Sequence, residues 1–276
     1  MMVASKSLKF MVGSYRSQTI AFQSWAKLVR SKAVALALAL SASFALPAGA
    51  HQPVLLANEA AKITKSPVLV DGLISFAVTA NFTKAGQTRH FRFALREGEQ
   101  LKLEYLILDR KPENQLKASQ LPSVTITAPN GKKSIMKINE RTKFYEPFGR
   151  QNYLFLSRLN AAGQPGIYTI TLRSRTKSAA LVAVGSREVR GEVMEIGSTV
   201  GSCPEKIKDE MEVSDKRALQ LVGLSERASE LCAEINGWGY RVVQRDGEDF
   251  AATMDYRSNR INVKIKDDEV IDVTVG

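Results

Sequence analysis

Apolar and polar residues alternate with a period of two in several short segments between positions 51 and 195. Turn-forming residues such as Pro129-Asn130-Gly131 and Pro165-Gly166 separate the segments. This pattern is typical of β-strands that bury one face, and we predict two antiparallel sheets packed into a β-sandwich. The apolar positions that define the strands are Phe91, Phe93, Leu95, Leu101, Leu103, Tyr105, Val124, Ile126, Tyr168, Ile170 and Leu172, with apolar runs at 153–156 and 180–184.

A helical period replaces the alternation near position 225. Ser225 is a suitable N-cap, Asn236-Gly237 ends the pattern, and the apolar residues between them recur at helical spacing. These residues are Ala228, Leu231, Cys232 and Ile235. We therefore predict a single helix, preceded by a linker at residues 195–202.

Alternation returns after the helix. Residues 240–243 predict a strand, the polar residues 244–249 predict the start of a long loop, and residues 261–265 and 270–273 predict two further strands. The expected architecture is an all-β sandwich at 51–195, followed by a small α+β domain at 196–276. In that domain one helix packs on a short sheet that carries an exposed loop.

The long loop contains Phe250 and Met254 without any core periodicity. Exposed apolar residues on a loop held between two strands often form a contact surface. If Ile261 faces the helix, Arg260 and Asn262 face the other way and project beneath the loop. We expect them to hydrogen-bond Thr253 and Asp255.

Charge excludes one class of partner. The 276 residues carry a formal net charge of +11, made of +6 in residues 1–50, +10 in 51–200 and −5 in 201–276. The basic residues of the middle segment are interspersed with acidic ones, whereas a nucleic-acid site needs a clustered basic face. We expect no nucleic-acid partner.

Residues 1–50 predict a secretory signal peptide. Residues 33–50 are uncharged, Arg30 and Lys32 precede them, and Ala48-Gly49-Ala50 supplies the small residues of a cleavage site. An uncleaved membrane anchor is the alternative, since eighteen uncharged residues approach the length of a membrane span. We favour cleavage after Ala50, and a mature chain that is periplasmic or secreted and not embedded in the membrane.

Export bears on the two cysteines. Disulfides persist in oxidising compartments, so we predict a bond between Cys203 and Cys232. The alternative is that Cys232 is a buried free thiol on the apolar side of the helix.

The two histidines offer little material for metal or acid–base chemistry. Cleavage after Ala50 would leave His51 at an amino terminus, which resembles the copper-binding histidine brace of polysaccharide monooxygenases. His90 would have to be the second ligand, and we expect it to be a surface residue instead. We therefore predict that the protein is not an enzyme and has no cofactor and no metal.

Residues 60–190 weakly resemble the pre-peptidase C-terminal type of bacterial β-sandwich. The resemblance depends on Ala85-Gly86-Gln87-Thr88, Phe91-Arg92-Phe93 and the run 165–170. Such sandwiches accompany many secreted proteins, so the region is expected to have a glycan or protein ligand.

The last 60 or so residues resemble the potato type I serine protease inhibitors and their bacterial and fungal elastase-inhibitor relatives. The match includes Leu221-Val222-Gly223, the run of residues 253–263 and the terminal Gly276. It implies that Met254 enters the primary specificity pocket of a serine protease and that the bond between Met254 and Asp255 is the reactive bond. The implied binding loop is Ala252, Thr253, Met254, Asp255 and Tyr256, and the implied bracing residues are Arg257, Arg260 and Asn262.

An apolar Met254 suits subtilisin-, elastase- or chymotrypsin-like proteases, because the acidic pocket of trypsin would be left with an unpaired charge. The chain departs from the family in a loop about two residues longer at 247–254, in Ala252 where Val is common, and in Val275 where relatives often have Cys. The alternative is a non-inhibitory envelope or adhesion protein whose sandwich binds glycan or protein.

Overall fold

The structure is a computed structural model that describes residues 51–276; the predicted signal peptide at 1–50 lies outside the described residues. The first twelve strands make up the sandwich. They are β1 (Gln52–Leu55), β2 (Val68–Leu69), β3 (Phe76–Phe82), β4 (Thr88–Leu95), β5 (Gln100–Leu108), β6 (Ser123–Thr127), β7 (Lys133–Ile135), β8 (Thr142–Glu146), β9 (Gln151–Ala162), β10 (Gly166–Arg173), β11 (Ser178–Val184) and β12 (Val193–Met194).

These strands form two six-stranded sheets that pack face to face. The strand order is β1-β3-β11-β5-β9-β8 in the first sheet and β12-β2-β4-β10-β6-β7 in the second. The prediction of a sandwich is confirmed, but the prediction that both sheets are purely antiparallel is wrong. β1 pairs with β3, and β2 with β4, in parallel. The chain moves to the other sheet after β1 and again after β2. A connection that passes through the opposite sheet is long enough to bring the chain back parallel to the strand it left.

The period of two places every second residue of a strand in the core between the sheets. In β3, Phe76, Val78 and Ala80 are fully buried, while Ala77 and Thr79 point to the outer face. Phe93 of the second sheet stacks on Tyr168 of the neighbouring strand at 5.1 Å between ring centroids. Burial of apolar surface at this scale is the main force that holds two sheets together.

Residues 196–276 form one long helix, a two-stranded sheet and a four-stranded sheet, and they add a short helix at Asp215–Ala218 where the sequence predicts only one helix. The elements are β13 (Ile196–Gly197), β14 (Cys203–Pro204), α1 (Asp215–Ala218), α2 (Glu226–Asn236), β15 (Gly239–Arg245), β16 (Glu248–Asp249), β17 (Arg260–Lys266) and β18 (Glu269–Val275). The order in the four-stranded sheet is β16-β15-β17-β18, with β15 and β17 parallel.

The helix α2 begins and ends where the sequence predicts. The Ser225 side chain accepts a hydrogen bond from the Ala228 backbone N–H at 3.1 Å, and Gly237 takes the left-handed conformation that closes many helices. Leu231 and Cys232 lie in the core with Ile261 and Val263 of β17.

A β-hairpin occupies residues 244–249, where the sequence predicts a loop. Strand β15 continues to Arg245, and β16 pairs with it through Gln244 and Asp249. Asp246 and Gly247 form the turn, with φ values of 51° and 88°. Positive φ at two successive residues is the geometry of a tight hairpin turn, for which Asp-Gly is a preferred sequence.

The predicted linker at 195–202 is also ordered, because β13 pairs with β14. The core beneath α2 includes Val68, Val70 and Ala94 of the sandwich.

The disulfide between Cys203 and Cys232 is confirmed, with 5.5 Å between the Cα atoms. Within residues 51–276 no helix has the length and apolar character needed to cross a membrane.

Candidate functional site

An exposed loop at residues 250–259 joins β16 to β17. Met254 at its tip has a relative exposure of 101%, the largest of the exposed apolar side chains in the described chain, and Tyr256 has 73%. Ala252 is exposed as well. We refer to residues 250–259 as the exposed loop.

Asp255 is the centre of the hydrogen bonds within the exposed loop. Its carboxylate accepts bonds from the Thr253 hydroxyl, from Arg257 Nε at 2.8 Å and from Arg260 Nη1 at 3.2 Å. Arg260 Nη2 also donates to the backbone oxygen of Asp255. The residue that follows Met254 is therefore held by both its side chain and its main chain.

These contacts also control the protonation of Asp255. The hydrogen bond from the Thr253 hydroxyl, followed by that from Arg257, holds the pKa of the Asp255 carboxyl well below its usual range. Both groups stabilise the charged form. The carboxylate therefore remains an acceptor for the two arginines throughout the neutral and mildly acidic range.

Thr253, on the other side of Met254, is held by a residue that the sequence interpretation missed. Arg241 Nη1 lies 3.3 Å from both the backbone oxygen and the hydroxyl oxygen of Thr253. Its Nε donates to the Asn262 side-chain oxygen at 2.7 Å. Arg241 is opposite Asn262 in the parallel pairing of β15 and β17, so strand alternation could have placed it under the loop.

Asn262 does not contact the exposed loop directly, which corrects the expectation that it hydrogen-bonds Thr253 or Asp255. Its side-chain nitrogen donates to the oxygen of Gly276 at 2.7 Å, and its oxygen positions Arg241. The reason is distance along the strand: Asn262 is two residues beyond Arg260 on the same face. Asn262 therefore acts on Thr253 only through Arg241.

Arg260 connects the exposed loop to the end of the chain. The residue is 8% exposed, and its Nε donates to the Gly276 oxygen at 2.7 Å. Gly276 has φ 149°, and a Cβ there would lie 3.1 Å from the Tyr256 ring. The positive φ and this tight contact both favour glycine at position 276, next to the Tyr256 ring.

A second group of contacts fixes the entry to the exposed loop. The Phe250 backbone N–H donates to the Val243 oxygen at 2.9 Å. The Arg245 guanidinium lies over the Phe250 ring at 5.4 Å and makes two bonds, of 3.0 and 2.6 Å, to the Glu226 carboxylate. The exposed loop is therefore attached at its entry and on both sides of Met254, while the Met254 side chain itself is fully exposed.

The two histidines lie apart: His51 immediately precedes β1 of the first sheet, and His90 is in β4 of the second. His51 Nδ1 contacts the Ser75 hydroxyl, and His90 Nδ1 lies 2.9 Å from the Thr171 hydroxyl. His90 is 8% exposed, so the expectation that it is a surface residue is wrong, and burial lowers the pKa of its imidazole. In residues 51–276 no group of three or more His, Cys, Asp or Glu side chains is arranged to hold a metal ion.

No family model matches the chain, and no curated protein does. Among solved structures, the chain is similar to a family GH115 4-O-methyl-α-glucuronidase with specificity for decorated arabinogalactans. The sequence identity is 12% and the TM-score is 0.26; the match covers 51% of this chain and 17% of the glucuronidase chain. A similarity this low carries no argument about function.

Proposed function

We propose that the protein is a serine protease inhibitor that presents Met254 to the primary specificity pocket of its target. One observation carries the proposal: Met254 is fully exposed, while both of its neighbours, Thr253 and Asp255, are tied to the sheet by arginine side chains. A free side chain between two immobilised residues is the arrangement that insertion into a protease cleft requires.

The bracing favours tight binding because it reduces the entropy lost on association. A flexible peptide must give up its conformational freedom when a protease binds it, whereas a loop already held in shape loses less. The Met254 side chain is already exposed in this arrangement, so it can enter the pocket without any rearrangement of the sheet.

The same contacts oppose hydrolysis. Attack by the protease serine on the Met254 carbonyl would break the bond to the Asp255 nitrogen and form an acyl-enzyme with Asp255 as the leaving amine. Arg260 holds the Asp255 side chain and backbone oxygen, so the amine stays beside the acyl group. Its return to the acyl carbon is then intramolecular and competes well with attack by water.

Met254 indicates the class of target. Its thioether side chain suits an apolar pocket of the subtilisin, elastase or chymotrypsin type and leaves the acidic pocket of trypsin unpaired. In this proposal the chain is a binding protein rather than an enzyme. The disulfide is compatible with an exported protein that meets such proteases outside the cell.

The proposal is tested by titrating a fixed amount of subtilisin with the purified protein and measuring residual activity. We expect activity to fall in proportion to added protein, with slow cleavage confined to the bond between Met254 and Asp255. Rapid and complete cleavage of the exposed loop with full protease activity remaining would contradict inhibition. That result would favour a non-inhibitory envelope or adhesion protein.

A further inference from the structure

A groove of about 520 Å³ lies on the outer face of the first sheet of the sandwich, on a part of the chain that has no role in the proposed inhibition. Its floor is apolar and includes Ala77, Leu106 and Leu181. Leu181 is opposite both Thr79 and Leu106 in the strand pairing, so the outward residues of β3, β11 and β5 form one continuous surface. The volume is that of a small-molecule site.

Aromatic rings form one wall of the groove. Phe144 and Phe155 lie 5.2 Å apart between centroids with their planes tilted by 43°, and Tyr153 is opposite Phe144 across β8 and β9. Phe148, in the turn of this hairpin, is 53% exposed. The Arg158 guanidinium lies over the Phe155 ring at 4.4 Å from its centroid, so one ring of this wall already holds a cation. Phe144, Phe148 and Tyr153 line the groove beside it, and aromatic faces attract cations.

Two carboxylates and the imidazole of His51 line the groove. Its charged lining residues are Glu104 and Glu146. Arg158 lies opposite Glu104 in the pairing of β5 and β9. Its guanidinium donates hydrogen bonds of 2.9 and 2.6 Å to the Glu140 carboxylate. Among residues 51–276 Glu104 makes no ion pair within 4 Å. The hydrogen bonds to Glu140 and, to a lesser extent, the charge of Glu104 raise the pKa of the neighbouring Arg158 guanidinium.

Glu146 is held in place by the hairpin. It accepts hydrogen bonds from the backbone N–H groups of Phe148 at 2.8 Å and Gly149 at 2.6 Å. Burial and the negative charge of Glu146 raise the pKa of the Tyr153 hydroxyl. The two backbone hydrogen bonds fix the Glu146 carboxylate at the rim of the groove, beside the aromatic wall.

We propose that this groove binds a small organic cation, an alkylammonium ion whose charged nitrogen carries alkyl groups. Aromatic faces attract such a nitrogen through cation–π interactions, and the apolar floor accepts its alkyl groups. The two carboxylates supply the compensating charge. A glycan fits less well, because the floor offers few hydrogen-bond donors for its hydroxyl groups.

The test compares choline with 3,3-dimethylbutan-1-ol, which has the same shape without the charge, by isothermal titration calorimetry on the purified full chain, in which His51 carries no α-ammonium. We expect choline to bind at least about tenfold more tightly than the alcohol, as cation–π contacts and carboxylates predict. Phosphatidylcholine vesicles form a second arm and show whether a lipid headgroup can enter. Cellobiose forms a third arm and tests the glycan alternative.

Charge-neutral variants locate the site. Glu104→Gln and Glu146→Gln should each weaken choline binding, and Phe144→Leu should do so through the aromatic wall. Glu97→Gln removes the same charge from an exposed turn of the sandwich and should leave binding unchanged. Thermal unfolding of each variant verifies the fold.

Three results would overturn the proposal. They are equal affinity for choline and the alcohol, tighter binding of cellobiose than of choline, and groove variants that fold normally and bind choline as well as Glu97→Gln does. None of them affects the proposed inhibition, because the groove and the exposed loop are tested with different ligands.

Discussion

Arg260 holds Asp255 at two points: Nη1 donates to the carboxylate and Nη2 donates to the backbone oxygen. A guanidinium can do this because its donors form a planar fork. The third donor of the same side chain, Nε, reaches Gly276. One largely buried side chain thereby connects the exposed loop, strand β17 and the last residue of the chain.

The first prediction concerns specificity. If Met254 fills the protease pocket, Met254→Lys should produce trypsin inhibition and weaken inhibition of subtilisin by at least about tenfold, because that pocket dominates discrimination between substrates. Inhibition constants for both proteases measure the change. Met211→Lys is the matched control, since Met211 is 80% exposed and lies outside the exposed loop.

An unchanged inhibition profile in a folded Met254→Lys variant would show that the bond between Met254 and Asp255 is not the reactive bond. An equal effect of Met211→Lys would assign the change to overall charge rather than to the pocket.

The second prediction separates bracing from contact. Arg260→Ala leaves Met254 in place but removes the charge-assisted bonds to Asp255, so we expect inhibition to weaken by roughly 10- to 100-fold and the loop to be cleaved faster. Arg227→Ala, on the surface of α2, is the control. Cleavage is followed by mass spectrometry during incubation with subtilisin.

The third prediction assigns a separate role to Arg241. Arg241→Ala frees Thr253 on the acyl side of the reactive bond while the Arg260 contacts to Asp255 remain. We expect a smaller rise in the inhibition constant than for Arg260→Ala, because the leaving amine is still held. A larger effect than that of Arg260→Ala would show that retention of the amine is not what limits hydrolysis.

The fourth prediction concerns pH. The folded-state pKa of Asp255 is lowered, so its bracing contacts are fully present above the unfolded pKa of about 3.9 and are lost as the pH falls through the folded value. NMR titration of the Asp255 carboxyl carbon should give a midpoint below that of a short peptide with the same sequence. Thr253→Val removes the leading cause and should raise the midpoint. A midpoint equal to that of the peptide would contradict the bracing.

The fifth prediction concerns the disulfide. Cys203 and Cys232 should both resist alkylation when the protein is unfolded without a reductant. The double variant Cys203→Ala/Cys232→Ala should lose about 3 kcal/mol of unfolding free energy, because a crosslink across 29 residues restricts the unfolded chain. Chemical denaturation measures the difference. A variant as stable as the parent would show that packing of α2 alone secures this region.

Strand alternation predicted most of the fold. The apolar positions proposed for β4, β5, β6 and β10 are buried, and Ser225 caps the helix as expected. Pairing direction was beyond this approach, since the period of two is the same for parallel and antiparallel strands. The crossovers after β1 and β2 depend on tertiary packing, which local pattern does not contain.

The bracing of the exposed loop was predicted only in part. Arg260 was found because it begins an amphipathic strand and alternates with Ile261. Arg241 lies in the preceding strand, which the hairpin at 244–249 separates from the exposed loop. Asp246-Gly247 was the missed signal, as it is a strong hairpin turn. The strand predicted at 240–243 already contained Arg241, and only its pairing with β17 was needed to set Arg241 opposite Asn262.

The position of the disulfide has a consequence for a chain severed between Met254 and Asp255. Cys203 and Cys232 both precede that bond, so no covalent link would join residues 255–276 to the rest. This piece contains β17, an interior strand whose Ile261, Val263 and Ile265 are buried. The severed molecule would be a two-component complex held by strand pairing and core packing. Its smaller component could leave only by dismantling the sheet, so its lifetime would be set by unfolding rather than by diffusion.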